Sequence, residues 1–184
     1  MKKTIIGSIV GGIIIFLWQF LSHTVLNLHK GAEQYTPKQD SILAYLQSKD
    51  LAPGHYLLPM LPEGSTMDDY ASFAEASEGK PWARLSYYAS RSGDMTTPMI
   101  RGLLTNILMV ALVIWLLGRM SRASWSDILL GSLVIGLSGF MNFPYTSHIW
   151  YPAGNIRADL IDALVMWLGL GIWLGWWLRR HQAP

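Results

Sequence analysis

Residues 159–180 read DLIDALVMWLGLGIWLGWWLRR. From Ala163 to Leu178 there is no charge, and the run ends abruptly at Arg179-Arg180. A bilayer core about 30 Å thick is crossed by about 20 helical residues. A run of this length and apolarity reads as a membrane-spanning helix. Three more such blocks precede it, at 4–23, 99–118 and 127–146, and the fourth lies at 159–178. The first is uncharged from Thr4 to Ser22, the second follows Pro98, a suitable residue at a helix start, and the third stops near Phe143-Pro144.

The chain has 184 residues, 51% of them apolar and 14% charged, with nine Trp and no Cys. The mean hydropathy of +0.27 averages two unlike parts. This distribution excludes a soluble globular protein, a disordered chain and a disulfide scaffold. The expected fold is membrane all-α: a four-transmembrane-helix bundle with a small extracytoplasmic α/β insertion between helices 1 and 2. The expected division is 1–23 for the cytoplasmic N-terminus and first helix, 24–97 for the inserted domain, and 98–184 for helices 2–4 with a cytoplasmic C-terminus.

Charge sets the orientation. With the N-terminus inside, the inner segments hold Lys2, Lys3, Arg119, Arg122, Arg179 and Arg180 against the single acid Asp127, and the outer segments hold more acids than bases. The bias sits in short segments beside the spans, where the positive-inside rule is strongest. Both termini are therefore expected in the cytosol, in a multi-pass cytoplasmic (inner) membrane protein. Lys2-Lys3 before an apolar run also fits a secretion signal. However, the run includes Trp18 and Gln19 and no small-x-small site follows it, so an uncleaved signal-anchor is expected. Tyr145, Trp150 and Tyr151 fall at the outer interface level, and Trp115, Trp125, Trp173, Trp176 and Trp177 at the inner one.

Lipid gives no hydrophobic push between helices, so close packing relies on small residues. Gly7-x-x-x-Gly11 in the first span, Ser132-x-x-x-Gly136 in the third and Gly171-x-x-x-Gly175 in the fourth form candidate seams. They suit an intramolecular bundle, and equally a homo-oligomer or a larger complex. The expected partners are the lipid bilayer and a second protein or copy, met through the outer domain and these seams. No basic face suggests nucleic acid.

The stretch 24–97 is too long for an ordinary connection. Thr36-Pro37 opens a helix over 37–49, with Ile42, Leu43, Tyr45 and Leu46 as its apolar stripe. A short strand is expected at 55–58, a helix from a capping box at Thr66 and Asp69 to about Ser77, and an alternating strand over 82–90. So short a domain buries little core and has no disulfide to support it. It is expected to lean on the membrane or on a partner, with Tyr56, Trp82 and Tyr88 as candidate contacts.

Polar residues inside apolar spans are costly and are the default functional candidates. His23, Asn27, Arg101, Thr105, Asn106, Asn142, Asp159 and Asp162 all fall toward the outer end of the spans. A structural account pairs Arg101 with Asp162 and lets the Asn residues bridge helices. A functional account makes the cluster a pocket for a small polar ligand, an ion or a quinone head group. A metal site built on His23, His148 and Asp162 is the weakest account. His23 and His29 are six apart and do not share a helical face, and there is no H-E-x-x-H and no Cys. No catalytic motif, cofactor or resident metal is expected. Ser147 and His148 are adjacent, so their side chains point apart and do not make a triad.

The segments LGSLVIGLSGFMNFPYTSHIWY (130–151) and DLIDALVMWLGLGIWLGWW (159–177) resemble the C-terminal half of a bacterial family of small four-helix membrane proteins of unknown function. Shared features are a Gly-rich third span ending at Pro, a short outer loop, and a polar start to a Gly- and Trp-rich fourth span. The long outer segment departs from that family, whose connections are short. The resemblance implies a prokaryotic four-helix membrane protein and carries no function. The role expected from all these readings is a non-catalytic accessory or scaffolding subunit of a membrane complex. The alternatives are a small-solute or ion carrier element using the polar cluster, and a membrane-embedded enzyme acting on a lipid or quinone.

Overall fold

A computed structural model describes residues 2–120, 123–152 and 154–180. Arg122, one of the expected inner bases, lies outside them. The chain divides into two compact units: 2–34 with 94–180, and Tyr35–Gly93. Residues 24–34 thus belong with the long helices.

The first unit contains four helical stretches long and apolar enough to cross a membrane: Lys2–Val25, Thr96–Leu117, Trp125–Trp150 and Ile156–Arg179. Within them α1 is Lys2–Phe20, α4 Thr96–Leu117, α5 Trp125–Phe140, α6 Thr146–Trp150 and α7 Ile156–Arg179. Each begins or ends within a few residues of the turn of composition that marks it in the sequence. Ser124 and Asp127 form a reciprocal capping box at the start of α5, and the Asn155 side chain accepts from the Ala158 amide at the start of α7. The Asp94 carboxylate accepts from the Thr96 and Thr97 amides before α4.

Helix α1 packs against both α4 and α7, and α5 packs against α7. The contacts are made through small residues. Gly7, Gly11, Ser132, Gly136, Gly171 and Gly175 are all buried. A methyl group on Gly12 would come within 2.9 Å of the Ile107 backbone, and one on Gly171 within 3.2 Å of the Leu129 Cα. Gly136 lies against the Trp167 ring and Gly175 against Trp125. These seams are therefore filled from within the chain. Gly139 differs, with open space where a side chain would be. The core they enclose includes Ile15, Val110, Ile128, Leu170 and Leu174. At one end, Trp173 and Trp177 donate from their indole nitrogens to the carbonyls of Gly7 and Lys3, at 3.3 and 3.0 Å.

Two segments depart from regular helix. Leu21–Val25 and Met141–Tyr145 are wide, π-type turns. The second contains Pro144, which has no N–H to offer a helix ladder. The first continues α1 and ends at Asn27, whose φ of +51° is a left-handed helix-terminating conformation that Asn tolerates. The Leu28 amide then donates back to the Ser22 carbonyl at 3.0 Å.

The second unit runs helix, strand, helix, strand: α2 (Gln39–Gln47), β1 (Gly54–Leu58), α3 (Met67–Ser77) and β2 (Ala83–Tyr87). The strands pair antiparallel with Gly54 opposite Tyr87 and Leu58 opposite Ala83. The Thr66–Asp69 capping box forms as its spacing predicts, with Thr66 N–H donating to the Asp69 carboxylate at 2.8 Å. These Thr66 hydrogen bonds, the backbone one foremost, hold the Asp69 carboxyl below the usual carboxylate range. His55 is joined across the strands to Ser86 at 3.0 Å. Neither α2 nor α3 buries a single residue.

Candidate functional site

The polar residues converge where the end of α1 meets the start of α7. Asp162 stands two turns into α7. Its Oδ1 accepts from Trp18 Nε1 at 3.0 Å and from Ser22 Oγ at 2.6 Å, both on the first helical stretch. Its Oδ2 lies 2.8 Å from His29 Nε2. One turn earlier on α7, Asp159 Oδ1 lies 3.9 Å from His29 Nδ1, too long for a hydrogen bond. The Asp162 side chain is 17% exposed and that of His29 19%. The carboxylate is thus nearly withdrawn from solvent with both oxygens occupied, as a buried charge requires.

The left-handed turn at Asn27 explains how His29 gets there. A continuing helix would carry residue 29 away from residue 23. Ending the helix at Asn27 folds the chain back, and the rings of His23 and His29 stack at 4.1 Å, 14° from parallel. His23 Nδ1 also faces the Gln19 carbonyl at 3.1 Å. The Asn155 side chain donates to the Leu28 carbonyl at 3.0 Å, tying the returning segment to the entry of α7.

Of the sequence candidates, His23, Asp159 and Asp162 meet in this cluster. Asn27 shapes it through its backbone and is itself exposed. Asn106 is buried one layer deeper and donates to Gln19 Oε1 at 2.8 Å. Thr105 donates to the Arg101 carbonyl on its own helix. Asn142 is exposed in the second wide turn.

The Arg101–Asp162 pair expected from the sequence is not formed. Arg101 is exposed on α4, and α1 stands between α4 and α7. Among the described residues the side chain that stands against both Asp159 and Asp162 is His29. His148 is not part of the cluster either. It sits on α6, its Nδ1 withdrawn from solvent and without a partner among the described residues. Sequence reasoning missed Trp18, Ser22 and His29. The first two sit at i and i+4, with Asp162 their common partner. That spacing is a legible signal, but only once the facing helix is known.

Chemically, the site offers two imidazoles and one carboxylate with ligating atoms all within 4.8 Å of one another. Compared with protein-family models, curated proteins and solved structures, the chain matches none.

Proposed function

We propose that the protein is a non-catalytic accessory or scaffolding subunit of the cytoplasmic membrane. It spans the bilayer four times with both ends in the cytosol, and its 35–93 unit meets another protein on the outer side. The orientation rests on the bases Lys2, Lys3, Arg119, Arg179 and Arg180 beside the spans. The observation that carries the scaffolding role is the surface of the 35–93 unit. Its helices are amphipathic, yet Ile42, Leu43, Tyr45 and Tyr70 are 49%, 57%, 62% and 51% exposed. Trp82 and Tyr88, on either side of β2, are 55% and 63% exposed. Exposed apolar groups gathered on one small unit mark an interaction site.

A photocrosslinking residue placed at Leu43 in cells tests this. A single stoichiometric adduct with another protein is expected, absent when the crosslinker is at Asp40 on the polar side, and lost on Ile42→Asp. Adducts only with the chain itself would make it a homo-oligomer. Crosslinks to lipid alone would remove the scaffolding role.

A further inference from the structure

The cluster where α1 meets α7 has a feature that a simple helix clasp does not require: two of its three donors are held from behind by hydrogen bonds, and the third has a carboxylate behind it at 3.9 Å. Asp162 Oδ1 is fixed by Trp18 and Ser22, which leaves Oδ2, the oxygen facing His29, directed into the cluster. His23 Nδ1 faces the Gln19 carbonyl at 3.1 Å, so a hydrogen on Nδ1 leaves the Nε2 lone pair available. His29 Nδ1 faces Asp159 at 3.9 Å while Nε2 faces Asp162 at 2.8 Å. Backbone carbonyls and carboxylates behind imidazole ligands, and hydrogen bonds behind a carboxylate ligand, are the outer arrangement that protein metal sites use to orient their donors.

We propose that His23, His29 and Asp162 bind a divalent transition ion of the zinc type, with a fourth position open to water. The donor set selects this class. Two imidazoles and a carboxylate suit zinc and its neighbours, whereas calcium and magnesium require mainly oxygen ligands. Charge points the same way. Asp159 and Asp162 lie one turn apart at the entry of an apolar helix, with no Lys or Arg paired to either among the described residues. A dication supplies the missing positive charge.

The geometry needs two adjustments. Ligands about 2.0–2.1 Å from a tetrahedral ion lie about 3.3 Å apart. The His29–Asp162 pair at 2.8 Å opens slightly, and the ion takes the place of the hydrogen those two atoms share. Stacked rings do not aim their lone pairs at one point, so one must tilt. His23 is the ring free to do so, being exposed. The open fourth position follows from three protein donors, and solvent reaches it on the His23 side. This site does not depend on the scaffolding role.

The test uses the purified full chain in detergent micelles, stripped with a chelator and titrated with zinc chloride by calorimetry, with bound zinc counted by elemental analysis. One zinc per chain at micromolar affinity or tighter is expected, and cobalt should give the visible absorption of a four-coordinate site. His23→Ala and His29→Ala should each weaken binding by about a hundredfold or more, and Ser22→Ala, behind Asp162, by about tenfold. His55→Ala and His148→Ala should leave it unchanged. Should Asp162→Asn fail to fold, His23→Ala still decides, because it removes only an exposed ring. Wild-type binding at millimolar concentration only, or wild-type affinity in either His23→Ala or His29→Ala, overturns the site.

Discussion

His29 Nε2 lies 2.8 Å from Asp162 Oδ2, although 133 residues separate them in the chain. One comes from the segment that leaves the first long helix, the other from the second turn of the last. The contact therefore closes the four-helix unit at one end. At the other end, Trp177 and Trp173 reach back to the first two turns of α1.

Removing the Asp162 carboxylate should loosen that closure. Asp162→Ala strips the acceptor from Trp18, Ser22 and His29 together. Hydrogen bonds between helices in lipid are worth about 0.6 kcal/mol each, so a loss of about 2 kcal/mol is expected in reversible unfolding in mixed micelles. Arg101→Gln should change stability by less than about 0.5 kcal/mol, and the double variant should be additive. A coupling above about 1 kcal/mol between Arg101 and Asp162 would show that the two do interact.

The deeper polar contact is open to the same measurement. Asn106 is buried and its amide donates to Gln19 Oε1. Asn106→Ala leaves that oxygen without its donor and should cost about 1–3 kcal/mol. Replacing Asn106 and Gln19 together by Leu should cost less than the single change, because no orphaned polar group then remains.

Small residues should divide sharply. Gly12→Val places a side chain against the Ile107 backbone, which has little room to yield, and should cost about 1–3 kcal/mol or prevent folding. Gly139→Ala enters open space and should be neutral or slightly stabilising. Thermal unfolding of the two variants side by side in one detergent is sufficient.

The 35–93 unit should respond to acid through the start of α3. The folded-state pKa of Asp69 is depressed by its Thr66 hydrogen bonds. Its stabilising effect is therefore fully present above the unfolded carboxylate pKa of about 3.9 and is lost as pH falls through the lower folded value. Circular dichroism of the full chain should show loss of helix signal only below about pH 4. Thr66→Ala removes the side-chain hydrogen bond and keeps the backbone one, and should shift that loss to higher pH.

Orientation can be read by labelling, because the chain has no native Cys. A Cys placed at Ser77 should react with an impermeant maleimide in intact cells. A Cys at Ser126, beside the α5 capping box, should react only after the membrane is opened. The reverse pattern would invert the assignment of both ends.

Much of the architecture was legible in one dimension. The four long helices follow from runs of apolar residues, each with the length and composition that would suffice to cross hydrocarbon. The helix–strand–helix–strand order of the 35–93 unit follows from local chemistry. A capping box, a Pro-Gly break and a two-residue alternation each act within a few residues of themselves. The small residues at the seams could likewise be named, because close helix approach tolerates few alternatives.

Which polar groups meet was not legible, because that depends on which helices are neighbours. The sequence order places Arg101 and Asp162 at the same end of two long elements with complementary charge, and their pairing is the natural expectation. The packing sets α1 between those helices, so Asp162 finds Trp18, Ser22 and His29 instead. Helical spacing likewise separates His23 from His29, whereas a single left-handed residue at Asn27 brings their rings into contact. Burial length, caps and alternation are local properties that a sequence states outright. Pairing across the chain is decided by the tertiary arrangement, because a side chain's partner is whatever the folded neighbours bring within about 3 Å of it.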